Sequence, residues 1–186
     1  MLDPLLATTL SIGFGLLLLM AAVHKLSEFS RFRAVLTEYR VMPAFIVPVV
    51  AAVLPAVEIG LGLGWLFAAN TAGPALATAA LLALYSAGIA GNLLRGRVHI
   101  SCGCGFGKST GAEDALSWGL VMRNAVLLSA ALAAALPIAQ RTVGILDYFT
   151  LVAALLALVL MFTAANQLIR NGAAIRSWRR PVARDD

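Results

Sequence analysis

Five apolar runs, each about the length of a bilayer crossing, divide this chain: residues 5–23, 44–69, 73–94, 119–136 and 146–169. At about 1.5 Å of rise per residue, roughly twenty helical residues cover a hydrocarbon core of about 30 Å. Backbone inside lipid has no water to satisfy its N–H and C=O groups, so such runs fold as helices rather than as open strands. The chain has 186 residues, 61% of them hydrophobic and 12% charged, and its mean hydropathy is +0.90. That leaves no polar stretch long enough for a separate soluble domain. The expectation is one integral-membrane domain over residues 1–186, all-α, with four to five transmembrane helices. The net charge of +5 then reads as basic residues that flank spans and meet anionic lipid, not as a nucleic-acid signal.

The only charge before the first run is Asp3, so the run lacks the basic leader of a cleaved signal peptide and reads as a retained span. His24 to Arg40 has a different pattern. Leu26, Phe29, Phe32, Leu36 and Tyr39 recur at helical spacing, with Lys25, Glu28, Arg31, Arg33, Glu38 and Arg40 on the other faces. This predicts an amphipathic helix in the membrane interface after the first span. In the second span Pro48 and Pro55 should kink the helix, and Gly60 and Gly64 form a small-xxx-small pair suited to close helix approach. Glu58 lies deep in the same run. An intramembrane acid is costly, which makes it a candidate functional group; its plainer reading is a protonated or paired packing residue. Arg123 and Asn124 near the start of the fourth span are read either as snorkelling to the headgroups or as part of an internal polar site.

The chemistry concentrates between the third and fourth spans, in a connection of residues 95–117. It holds His99-Ile100-Ser101-Cys102-Gly103-Cys104-Gly105, with both cysteines of the protein. Two thiols at i and i+2 close only in a small bent ring, which Gly103 eases. A bridge of that kind tends to be strained, hence labile and of the exchanging type. Arg95, Arg97 and Lys108 are close in sequence and would favour the thiolate, the attacking form. Two other readings stand beside this one: the cysteines as small packing residues, and His99, Cys102 and Cys104 as ligands of a soft metal.

Lysines and arginines number 4 in His24–Met42, none in Asn70–Ala72, 3 in Arg95–Ser117, 1 in Ile138–Ile145 and 5 in the basic tail, residues 170–186. The positive-inside rule with five spans puts the tail in the cytoplasm of a bacterial inner membrane. It puts the cysteine connection on the same face, although lasting disulfides in bacteria belong to the oxidising side. The side of the loop is therefore open.

Lys25-Leu26, Phe29, Phe32-Arg33, Tyr39-Arg40, Pro43, Pro55-x-x-Glu58, Asn92-Leu93-Leu94-Arg95-Gly96-Arg97, Cys102-Gly103-Cys104 and Trp118…Arg123-Asn124 together resemble the methylamine-utilisation protein MauE family, itself related to the DoxX-like membrane proteins. The likeness extends up to the fourth span. It implies a membrane protein of four or five helices that works with a thioredoxin-like partner in disulfide formation in an exported protein. Cys102 and Cys104 would be the redox pair, and Glu58, Arg95, Arg97, Arg123 and Asn124 the polar set around it. The functional expectation is a thiol–disulfide oxidoreductase of the membrane. With a single pair, its electrons need a second carrier, either a protein or a quinone held between spans. The alternative is a transporter or channel for a soft metal ion or small thiol. Homo-oligomers are compatible with either.

Overall fold

A computed structural model describes residues 1–68, 70–97, 116–139 and 141–178. These residues form six helices: α1 (Pro4–Ser27), α2 (Phe29–Tyr39), α3 (Val47–Phe67), α4 (Ala72–Leu94), α5 (Trp118–Ala134) and α6 (Ile145–Trp178). Among the described residues the only β pairing is a single bridge, Leu2 to Ile138. Helices α1, α3 and α4 and the Ile145–Ile169 part of α6 are long and apolar enough to cross a membrane, and α5 is a shorter apolar helix of 17 residues. The protein is thus an all-α membrane bundle with an amphipathic helix after its first span.

Local sequence sets the helix ends. Asp3 caps α1 by accepting from the Leu5 N–H at 2.8 Å, and Pro4 fills the first turn, where its missing N–H costs nothing. The expected amphipathic helix over His24–Arg40 divides at Glu28, whose backbone (φ −116°, ψ 43°) leaves the helical region. His24 and Lys25 therefore belong to the last turn of α1, and α2 begins at Phe29. Arg40 closes α2 in the left-handed conformation at φ 47°. Pro48, expected to kink the second span, falls in the first turn of α3, and only Pro55 lies inside that helix. No proline interrupts the chain between Ile138 and Trp178, and α6 accordingly runs on past the span into the region read as a tail.

The bundle is built from two antiparallel pairs, α1 with α3 and α4 with α5. Phe14, Leu18, Ala22 and Lys25 form the buried stripe of α1, and Ala51, Pro55, Glu58, Gly62 and Trp65 that of α3. Their three- and four-residue spacing is that of one helix face. Where the two helices cross, a Cβ on Gly62 would come 3.1 Å from the Gly15 carbonyl, and one on Gly15 would come 3.3 Å from the Gly62 carbonyl. This pair, and not Gly60, makes the close approach, since a Cβ on Gly60 would meet nothing within 4 Å. Gly60 lies off the buried stripe; Gly62 lies on it.

Phe14 and Trp65 stack at 5.0 Å between ring centroids, and the Trp65 indole N–H donates to Thr78 Oγ1 at 2.9 Å, joining α3 to α4. A second core of Val35, Tyr39, Ile89, Leu116 and Leu120 seats α2 across one end of the bundle. At the opposite end Arg141 joins Asp3 and Asp147. Those carboxylates, Asp147 foremost, raise the Arg141 pKa above its ordinary value. Helix α6 lies outside the four-helix core, with none of the residues in its most apolar window buried.

Candidate functional site

Chain direction and packing bring most of the polar side chains in the bundle to the end that α2 covers. Helix α1 finishes there with Lys25, α4 with Asn92 and α5 begins there with Ser117 and Arg123. His99, Cys102 and Cys104 lie outside the described residues. What is described is the frame on either side of them, Arg97 and Leu116.

On the α4 side, Asn92 is fully buried and donates from Nδ2 to the Gly88 carbonyl at 3.0 Å, one turn back. Its backbone carbonyl accepts from the Arg97 N–H at 3.0 Å, and Gly96 takes φ 71° so that the chain can fold back to make this bond. Asn92 Oδ1, Arg97 Nη1 and Ser117 Oγ are buried side-chain atoms without a hydrogen-bond partner among the described residues. Buried polar groups are normally satisfied, so orphans on both sides of the cysteine connection mark a polar rim with spare bonding capacity. Arg95, by contrast, is exposed.

Glu58 sits in a network of its own. Lys25 Nζ donates to both of its carboxylate oxygens, at 2.6 and 2.8 Å, and the Tyr85 hydroxyl donates to Oε1 at 2.8 Å. The ammonium also lies 5.7 Å from the Phe32 ring centroid and 5.5 Å from that of Tyr85, within range of cation–π attraction. Four helices, α1 to α4, each contribute one of these side chains. Glu58 is thus a paired packing residue, and its partner is a lysine that the sequence pattern placed on a polar face.

Arg123 and Asn124 form the remaining polar group. Asn124 is buried. The Arg123 guanidinium turns towards α6, donating from Nη1 to Asn166 Oδ1 at 2.8 Å and from Nη2 to Asn124 Oδ1 at 3.3 Å. These hydrogen bonds put Glu58 in one network and Arg123 with Asn124 in another. The five residues expected as one polar set therefore fall into three places, with Arg95 and Arg97 at the end of α4. Lys25, Tyr85 and Asn166 are the partners that residue type alone did not single out. For Lys25 a signal existed, because it continues the Phe14-Leu18-Ala22 stripe at helical spacing.

Residues 3–137 match the family model described as Methylamine utilisation protein MauE. The match takes in the cysteine connection and all five helices up to the end of α5, and it stops before α6. The chain is 40% identical over 135 residues to the methylamine utilization protein MauE of Paracoccus denitrificans, covering 73% of this chain and 71% of that protein. It is 38% identical over 167 residues to the protein of the same name from Paracoccus versutus, covering 89% and 88%. With the one from Methylophilus methylotrophus it shares 32% over 168 residues, covering 90% and 87%. No solved structure gives a significant match. A family model spanning most of the chain and relatives matched over most of their own length lead to one assignment: the chain belongs to the MauE family.

Proposed function

We propose that this protein is a thiol–disulfide redox protein of the bacterial inner membrane that serves methylamine utilisation by exchanging disulfides with a thioredoxin-like partner during maturation of an exported protein. The observation that carries this reading is the Cys102-Gly103-Cys104 pair, the only cysteines in the chain, flanked in sequence by Arg97 and Ser117, which keep buried atoms without a partner among the described residues. The names of the relatives support the pathway, and the chemistry of a close thiol pair supports the reaction.

In the exchange, a thiolate of the pair attacks one sulfur of a partner disulfide and expels the other as thiolate. The second cysteine then attacks the mixed disulfide, releasing the partner as dithiol and leaving Cys102–Cys104 oxidised. Two electrons pass to the partner, and in the reverse direction two return. Guanidinium groups such as Arg97 favour the thiolate in either direction. In that reverse direction, where the partner's dithiol reduces the Cys102–Cys104 disulfide and leaves oxidised, a quinone would close the cycle on the membrane side by taking up two electrons and two protons from the reduced pair. Of the polar residues expected around the pair, Arg95 and Arg97 at the end of α4 would be available to it there, since Glu58 is held by Lys25 and Tyr85 and Arg123 by Asn166 and Asn124.

Lys and Arg concentrate at the α2 end of the bundle, which supports a cytoplasmic tail under the positive-inside rule. The test is trapping. Purified protein is alkylated with a mass-shifting maleimide before and after reduction, and its oxidised form is separately incubated with a reduced thioredoxin lacking its resolving cysteine, whose one thiolate attacks the Cys102–Cys104 disulfide and expels the other sulfur as thiolate. The expected result is a two-thiol shift on reduction and a mixed disulfide that disappears in Cys102→Ser or Cys104→Ser. A pair that forms no mixed disulfide, with both serine variants supporting growth on methylamine, would overturn it.

A further inference from the structure

Among the described residues no carboxylate neutralises the charge of Arg123. It lies in the second turn of α5, and both of its side-chain hydrogen-bond partners, Asn166 and Asn124, are neutral amides. Its Nε is buried and has no partner. Among the described residues the ion pairs are made by Lys25, Arg31 and Arg141, and no carboxylate reaches Arg123. The Phe162 ring, 5.7 Å from the guanidinium carbon, supplies only cation–π attraction. The arginine is oriented but not compensated.

Its surroundings face lipid. Helix α6 touches α5 closely at Gly119, where a Cβ would come 3.1 Å from Ile169. On either side of that contact Trp118, Met122 and Val126 of α5 and Leu168 of α6 are exposed. Arg123 is about 7 Å of helix rise from the start of α5, close to where a phospholipid phosphate sits above its acyl chains. A planar guanidinium whose Nη1 and Nη2 each carry a second N–H beyond the bonds to Asn166 and Asn124 matches phosphate geometry. Basic pockets between transmembrane helices on the more basic side are where acidic headgroups collect.

We propose that the α5–α6 groove at Arg123 is a binding site for one anionic phospholipid, its phosphate held by the guanidinium and its acyl chains lying on the exposed apolar faces of the two helices. The site does not depend on the redox reading. It gives α6, which has few buried side chains of its own, a lipid that cements it to the core.

The full chain, reconstituted in nanodiscs of equal phosphatidylglycerol and phosphatidylcholine and released into detergent, is weighed by native mass spectrometry. Wild type should retain one phosphatidylglycerol in clear excess over phosphatidylcholine, a comparison that needs no variant. Arg123→Gln should hold it roughly tenfold more weakly, as the loss of a charge-assisted contact implies, whereas Arg141→Gln at the opposite end should hold it as wild type does. Equal retention of the two lipids, unchanged retention in Arg123→Gln, or displacement by excess inorganic phosphate would each overturn the proposal, the last by showing a site for the free anion.

Discussion

Lys25 and Glu58, one at the end of α1 and the other in the middle of α3, form an ion pair only 5% and 1% exposed, with the ammonium on both carboxylate oxygens. Removing two charges from water is costly, and the cost is offset only where geometry is good and further bonds satisfy what remains. Here Tyr85 adds the third bond to the carboxylate, and Phe32 and Tyr85 face the ammonium. The pair therefore fixes how α1, α3 and α4 register beneath α2.

Breaking the pair on one side should cost far more than removing both members. Lys25→Met leaves a buried carboxylate with Tyr85 alone and should lower stability by about 3–5 kcal/mol. The double variant Lys25→Met/Glu58→Leu should recover most of that loss, since apolar groups of similar volume replace a buried pair at little net cost. Thermal unfolding in detergent, read as a double-mutant cycle, measures the coupling. Additive losses would show that the two residues do not act as a pair.

The glycine contact yields a sharper contrast. Gly62→Ala would put a methyl 2.8 Å from Leu19 and 3.1 Å from the Gly15 backbone, while Gly60→Ala meets open space. The first should destabilise by about 1–3 kcal/mol, as overpacking does. The second, in a position facing outward, should be neutral or slightly stabilising, because alanine is the better helix former. Comparing midpoints of the two variants in the same detergent separates them. Equal effects would mean that α1 and α3 do not cross at Gly62.

Arg40 offers a test of local strain. It is exposed and stands at φ 47°, where a side chain is unfavourable and glycine is not. Arg40→Gly should stabilise the α2–α3 turn by about 0.5–1 kcal/mol, the gain expected when glycine replaces a left-handed helix-capping residue. A raised unfolding midpoint with unchanged helix content checks it; a lowered midpoint would show that the Arg40 side chain contributes more than its conformation costs.

The class of fold and most helix positions could be read from the sequence because lipid imposes one rule on every span, and apolar length reports it. The pairings could not. Lys25 and Arg31 look alike in a polar stretch, and the helix break at Glu28, together with the apolar stripe that Lys25 continues, decides that one is buried in α1 and the other sits on α2. Of the Gly60 and Gly64 pair only Gly64 makes a close approach, a Cβ there coming 3.2 Å from Pro74 of α4, while the contact with α1 passes through Gly62. Glu58 could be recognised as unusual, but its partner is 33 residues away in the chain, and no local pattern carries that distance. The cysteine pair is the reverse case, legible in the sequence and outside the described residues.

Shared orientation of the loop and the tail is the prediction with most bearing on function. Arg97 follows the end of α4 and Leu116 precedes α5, and Leu116 packs with Val35 and Tyr39 of α2 in the core at that end. Asn166 and Ile169 of α6 reach Arg123 and Gly119 at the same end, so the C-terminal part of α6 leaves the bundle on the face where the cysteine connection begins and finishes. A membrane-impermeant maleimide should therefore label Cys102 or Cys104 and an Asp186→Cys variant, built in a background with the native pair replaced by serine, from one and the same side. Val143→Cys, on the connection between α5 and α6, should react from the other. Exchange with an exported partner requires the first two to be labelled at once in intact cells and Val143→Cys to be protected until lysis; the reverse pattern, which the basic residues at the α2 end favour, would place the thiols and their partner on the cytoplasmic side. Labelling of the native pair and of position 186 from opposite faces would mean that one helix does not cross as packed, and the side from which a partner meets the thiols would have to be assigned anew.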